Sequence, residues 1–147
     1  MRTVIVYEST HHGNTKKLID AIKAEHEVDV IEFNKVDGEF LKQYDLIGFA
    51  SGIAFGKFYE GITEVIKNKL PAGKKVFFIY TCGRNSKDFS THPRKIIEQI
   101  GCETVGSYGC HGFDTYGPFK LVGGINKNHP DANEIKGAVE FYSNILK

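Results

Sequence analysis

The segment Glu8-Ser-Thr-His-His-Gly-Asn-Thr15 gathers hydroxyl groups, a glycine and an asparagine between a short apolar run and a helical pattern. A helix N-terminus offers unpaired N–H groups and a partial positive charge, and Ser9, Thr10, Asn14 and Thr15 can donate further hydrogen bonds, a combination that suits a phosphate. No lysine lies inside the loop, as a Walker A site requires. A phosphate bound here is therefore held by neutral donors, which fits a monoester that is kept rather than transferred. Ordinary capping of a strand-to-helix turn uses the same residue types and is the alternative reading.

Other groupings carry less. Gly52-xxx-Gly56-Lys57 invites a nucleotide P-loop reading, but the spacing is one residue short and Phe58 stands where Ser or Thr belongs. His11 and His12 are adjacent and Cys110 precedes His111, yet none of these shows the short fixed spacing of structural zinc ligands, so no metal is expected. Gly106-xx-Gly109-xx-Gly112 has the wrong spacing for a dinucleotide fingerprint and follows no first strand. Cys82 or His12 as a nucleophile or base lacks any legible partner, so no catalytic residue is assigned.

These loops are set by strands and helices in alternation. Thr3–Tyr7 is a β-branched run of the kind buried on both faces of a parallel sheet. From Asn14 to Glu25, Leu18, Ile19 and Ile22 form an apolar stripe opposite lysines and an aspartate. Val28–Phe33 and Asp45–Ser51 read as the second and third strands, with a short helix around Phe40 and Leu41 between them. A helix from Tyr59 to Leu70 stops at Pro71 and Gly73. Lys75–Thr81 is the next strand; Pro93 is expected to start a helix that ends at Gly101; Cys102–Cys110 is the fifth strand. Asp131 and Glu134 form an Asp-led capping box for a last helix with Ile135, Ala138, Val139, Tyr142, Ile145 and Leu146 inward. Such an order implies a parallel sheet wrapped on both faces, with ligands outside the carboxyl ends of its strands. The loops to examine are then 8–15, 51–59, 82–92 and 110–130.

Composition narrows the class. The chain has 147 residues, 41% of them hydrophobic, with 19 basic and 18 acidic side chains and a formal charge of +1. A chain of this length buries roughly 70% of its unfolded surface as one domain without a disulfide or metal. The balanced charge argues against nucleic acid. It conceals a tilt, since residues 1–73 carry net −2 and residues 74–147 net +3. The 3 cysteines, Cys82, Cys102 and Cys110, fit a reducing compartment. With no run near the ~20 apolar residues of a membrane helix, and a strand starting at residue 3, a cytoplasmic protein away from membranes is expected.

Thr10-His-His-Gly-Asn-Thr15 resembles the [Ser/Thr]-x-Thr-Gly-x-Thr phosphate loop of the flavodoxins, with His12 where threonine is usual. The resemblance covers essentially the whole chain as a single domain, 1–147. It implies an α/β fold, the flavodoxin-like three-layer sandwich, with a five-stranded parallel sheet in the order 2-1-3-4-5 and helices on both faces. It also implies noncovalent FMN. The phosphate then falls to Ser9, Thr10, His11, His12, Gly13, Asn14 and Thr15, with either Ser9 or Thr10 as the first hydroxyl. Ser51, Gly52, Ile53, Phe55, Gly56, Lys57 and Phe58 lie in the loop that flanks the flavin ring in that family, where a peptide turns over on reduction; Gly56–Lys57 is the matching peptide. Phe58 and Tyr59 equally suit the inward face of the next helix. Cys82, Gly83, Arg84 and Asn85 match the family's pyrimidine-edge loop, with Phe89 or Tyr116 as covers. Residues 111–128 could be a lid or a docking surface.

Receiver domains and low-molecular-weight tyrosine phosphatases share the architecture but need an acidic pair after the first strand, or a cysteine and arginine in the first loop, and this chain has neither. The expectation is an FMN-binding electron carrier, a monomer that meets a reductase and an acceptor protein transiently. The alternative is a flavin-dependent oxidoreductase such as a quinone reductase or a protoporphyrinogen-oxidase-like enzyme. A third is a module that binds another phosphate ester.

Overall fold

The computed structural model describes residues 1–10, 12–84, 87–113 and 124–147. Strand β1 (Thr3–Glu8) leads to helix α1 (Asn14–Glu25) and strand β2 (Asp29–Glu32). Two single turns of 3-10 helix, Phe33–Lys35 and Phe40–Gln43, fill the connection to β3 (Leu46–Ala54). A two-residue strand β4 (Lys57–Phe58), α2 (Glu60–Lys69), β5 (Lys75–Cys82), α3 (Thr91–Ile100), β6 (Glu103–His111) and α4 (Ala132–Ile145) complete the order. The sheet runs β2-β1-β3-β5-β6, every neighbouring pair parallel. That is the expected order 2-1-3-4-5, the extra number belonging to β4, which folds back antiparallel on β3.

Alternation along the strands divides the core in two. Val4, Val6, Ile47, Phe49, Val76 and Phe78 point to the face covered by Ile62, Val65 and Ile66 of α2 and Ile97 of α3. Ile5, Leu46, Phe77 and Ile79 point the other way, under Leu18, Ile19 and Ile22 of α1 and Ala138 and Tyr142 of α4. The central strands are therefore apolar on both faces, as a sheet between two helical layers requires.

Besides one-residue differences at strand and helix ends, three places differ from expectation for a local reason. Helix α3 begins at Thr91, and Pro93 sits in its first turn, where its missing N–H breaks no bond. Asp88 fixes that start by accepting from the Ser90 N–H at 2.9 Å and the Ser90 hydroxyl at 2.6 Å. Strand β3 continues past Ser51 to Ala54 because β4 pairs with it. Leu146 follows the last residue of α4 and is 40% exposed, so the inward stripe stops before it.

Candidate functional site

The loop from β1 to α1 turns on two consecutive left-handed residues, His12 (φ 58°) and Gly13 (φ 65°). Gly13 is the N-cap and contributes no side-chain bond, so the helix start is capped from outside. The Ser9 hydroxyl oxygen accepts from the Lys16 N–H at 3.1 Å, and the Gly13 carbonyl accepts from Lys17 N–H at 3.2 Å. The N–H groups of Asn14 and Thr15, one residue earlier on the first turn, are those that an α-helix supplies with no intrahelical acceptor. Their side chains face inward. Asn14 Nδ2 donates to the Phe113 carbonyl at 2.8 Å, and its Oδ1 is buried without a partner. The Thr15 hydroxyl bonds that of Thr81 at 2.9 Å. Thr10 and His12 are exposed, and the His12 ring stacks on Phe113 at 4.1 Å between centroids.

The β3–β4 hairpin closes through two residues, Phe55 (φ 54°) and Gly56 (φ 76°), between the pairs Ala54–Lys57 and Ile53–Phe58. Positive φ at both central positions is the type I′ pattern, the turn whose twist matches the strands it joins. Glycine takes it without strain. Phenylalanine does not, and Phe55 adds full exposure to an unfavourable backbone. The ring therefore stands out from the surface at the carboxyl end of the sheet. At the base of the hairpin, Ser51 donates to the Gly52 carbonyl at 2.6 Å and accepts from the Tyr59 N–H at 2.9 Å. The Tyr59 ring lies on Gly52 so closely that a Cβ there would come within 2.3 Å of its hydroxyl.

Glu8, at the end of β1, faces the start of α2. Burial raises its pKa above the ordinary carboxylate value, and the N–H groups of Gly61 and Ile62 oppose the rise. Its Oε1 has no hydrogen-bond partner. At the end of β5, Cys82 Sγ donates to the Cys110 carbonyl at 3.5 Å, the Cys82 carbonyl accepts from Gly112 N–H at 3.0 Å, and Asn126 Nδ2 donates to the Gly83 carbonyl at 2.7 Å. Burial pushes the Cys110 thiol far up, so it stays protonated.

The arrangement brings Ser9, Thr10, His12, Gly13, Asn14, Thr15, Ser51, Gly52, Ile53, Phe55, Gly56, Lys57, Cys82, Gly83 and Arg84 to one edge of the sheet. Two aromatic candidates go elsewhere. Phe58 is 4% exposed and packs on Phe78 and Tyr80, and Phe89 is 9% exposed with its ring edge-on to Tyr80. Both are core side chains, since the alternation that turns Lys57 outward turns Phe58 in. His11, Asn85 and Tyr116 lie outside the described residues. Sequence reasoning passed over the contact of Tyr59 with Gly52, the stack of Phe113 on His12, and a cluster of His111, His129 and Glu134 next to the capping box of α4. Only the capping box signalled that last group.

Among the described residues no helix is long and apolar enough to cross a membrane. Comparison with known proteins agrees with the fold. The chain is 40% identical over 149 residues to the uncharacterized protein MJ0298 of Methanocaldococcus jannaschii, covering 100% of this chain and 99% of that one. Among solved structures, a flavodoxin from the domain Archaea superposes with a TM-score of 0.70 at 19% identity, over 100% of both chains. The general stress protein 14 of Treponema denticola, solved in complex with FMN, superposes with a TM-score of 0.71 at 10% identity, over 99% of both. The family model described as "Flavodoxin domain" matches residues 4–101, a span that holds β1 to α3 and with them the left-handed turn, the hairpin and the end of β5. The chain belongs to the flavodoxin-domain family.

Proposed function

We propose that this chain binds one FMN noncovalently and carries electrons between a reductase and an acceptor protein. The observation that carries the reading is the turn at His12 and Gly13, which delivers the first turn of α1 to the carboxyl end of the sheet, the end from which the Phe55–Gly56 hairpin also projects. The donor set fits a phosphate monoester: the Ser9 and Thr10 hydroxyls and the first N–H groups of α1 are neutral donors on a positive helix end. FMN would supply one- and two-electron redox chemistry. The protein's part is to hold the phosphate with this turn, to approach the ring with main chain at Gly52, Gly56 and Gly83, and to leave Phe55 at the rim.

Charge sets this chain's own contribution to potential. Lys57 is exposed on β4, next to Gly56, and forms no ion pair among the described residues. A cation there favours added negative charge nearby. Support for FMN itself comes from the family and from the likeness in fold to the FMN complex of the Treponema protein.

The test is direct. Protein purified from cells should carry flavin that denaturation releases as FMN, one per chain, with no turnover of NAD(P)H and quinone by the isolated protein. Rapid turnover of a quinone would favour an enzyme over a carrier. Protein that neither retains nor rebinds FMN would overturn the reading.

A further inference from the structure

We infer that His111, His129 and Glu134 form a binding site for one divalent transition-metal ion with a preference for nitrogen and oxygen ligands, of which zinc is the type. The three side chains come from the end of β6, the segment before α4 and the first turn of α4, and their ligand atoms all lie within 4.8 Å of one another. A tetrahedral ion with bonds of about 2.0–2.2 Å holds its ligand atoms about 3.4 Å apart, so the widest pair must close by roughly 1.4 Å. Two imidazoles and a carboxylate with a fourth position left open are a zinc donor set.

The surroundings are those of a held carboxylate and not of a loose surface cluster. Glu134 Oε1 accepts from the Asp131 N–H at 2.9 Å, and Oε2 accepts from the His111 N–H at 3.0 Å. Both oxygens are thus oriented by main chain before any ion arrives, as ligating carboxylates are. His129 Nδ1 and Glu134 Oε1 are hydrogen-bonded to each other, so an ion bound by both would replace that contact and the two atoms would move apart to admit it. The His111 ring meets the His129 ring edge-on, with 5.8 Å between centroids and 89° between planes.

Neighbouring bonds keep the ligands in place. His129 is anchored at both main-chain ends, its N–H donating to Asn126 and its carbonyl accepting from Phe113, each at 2.9 Å. The Tyr108 hydroxyl donates to the Glu134 carbonyl at 2.7 Å. The side chains of His129 and Glu134 are 33% and 19% exposed, open enough for entry and shielded enough to hold an ion. An ion bridging His111 to His129 and Glu134 would tie the end of β6 to the start of α4.

Zinc titration in competition with a chromophoric chelator tests the site, using protein first stripped with a stronger chelator. One equivalent of zinc per chain is expected, weakened by more than about tenfold by His111→Gln and by His129→Gln, since losing a ligand costs more than losing an outer-shell partner, and unchanged by His26→Gln, which ends α1 and bonds Ser143 near the opposite end of α4. Cobalt in place of zinc should give ligand-field bands without sulfur-to-metal charge transfer. Ring-nitrogen NMR of the unsubstituted protein covers the case of a variant that fails to fold, because zinc should then shift His111 and His129. Absence of stoichiometric binding, equal binding by the double variant, a thiolate band, or shifts confined to other histidines would each overturn the site.

Discussion

The hydroxyls of Thr15 and Thr81 meet at 2.9 Å in the interior, 1% and 3% exposed, and join the first turn of α1 to the end of β5. The expected phosphate turn and the expected ring-edge loop are thereby parts of one hydrogen-bonded unit. Thr15→Val or Thr81→Val leaves the other hydroxyl buried without a partner, a loss of about 1–3 kcal/mol each. The double variant removes both groups and should lose less than the sum. Urea denaturation of the three variants checks this.

Phe55 should be a costly residue for stability. Its left-handed backbone disfavours a side chain by roughly 1–2 kcal/mol, and full exposure returns nothing through burial. Phe55→Asn or Phe55→Gly is expected to raise the urea midpoint of the flavin-free protein by an equivalent of about 1 kcal/mol. If Phe55 lies against the flavin, the same substitutions weaken FMN binding. Higher stability with weaker binding would mark strain kept for function.

Glu8 gives a pH dependence with a definite sign. Burial holds its folded pKa above the ordinary carboxylate value. The folded state therefore binds the extra proton in that window, and stability falls as pH rises from the unfolded carboxylate range through the folded pKa. Glu8→Gln should stabilise the protein at neutral pH, leave it nearly unchanged below pH 4, and flatten the curve between. Chemical denaturation from pH 4 to 8 shows whether it does.

The cysteines should be inert in the native protein. Cys82, Cys102 and Cys110 are all buried, 3–8% exposed, and burial keeps the Cys110 thiol protonated. A thiol-reactive chromogen at pH 8 should modify none of them within minutes, and all 3 after denaturation. Fast labelling of the folded chain would contradict the packing at the ends of β5 and β6.

The elements were largely legible because their signals are local. The stripe of Leu18, Ile19 and Ile22, the β-branched run of β1 and the Asp131–Glu134 capping box each lie within one or two turns of chain, and each takes its expected place. What was not legible depends on pairing at a distance. Nothing near Phe58 says that Lys57 pairs with Ala54, and only that register decides which aromatic faces the core and which stands free. His111 and Glu134 meet because β6 ends beside the start of α4, so no short ligand spacing announces them. Pro93 misled by one rule, since proline is tolerated throughout a first turn and not only at its first position.

Lys57 should tune the flavin. Its removal in Lys57→Gln takes a positive charge from beside the hairpin, and a unit charge near a partly solvated ring is worth on the order of 1 kcal/mol, or about 40 mV for a one-electron step. The second reduction potential of the FMN-bound variant should become more negative by tens of millivolts, most clearly at low salt. An unchanged potential would place Lys57 away from the ring.

The central claim is that the His12–Gly13 turn and the hairpin together hold FMN, and fluorescence titration of flavin-free protein tests it most directly. FMN should be quenched to a one-to-one endpoint, and riboflavin, which lacks the phosphate, should bind much more weakly. FMN and riboflavin binding equally, or neither binding, would contradict the account.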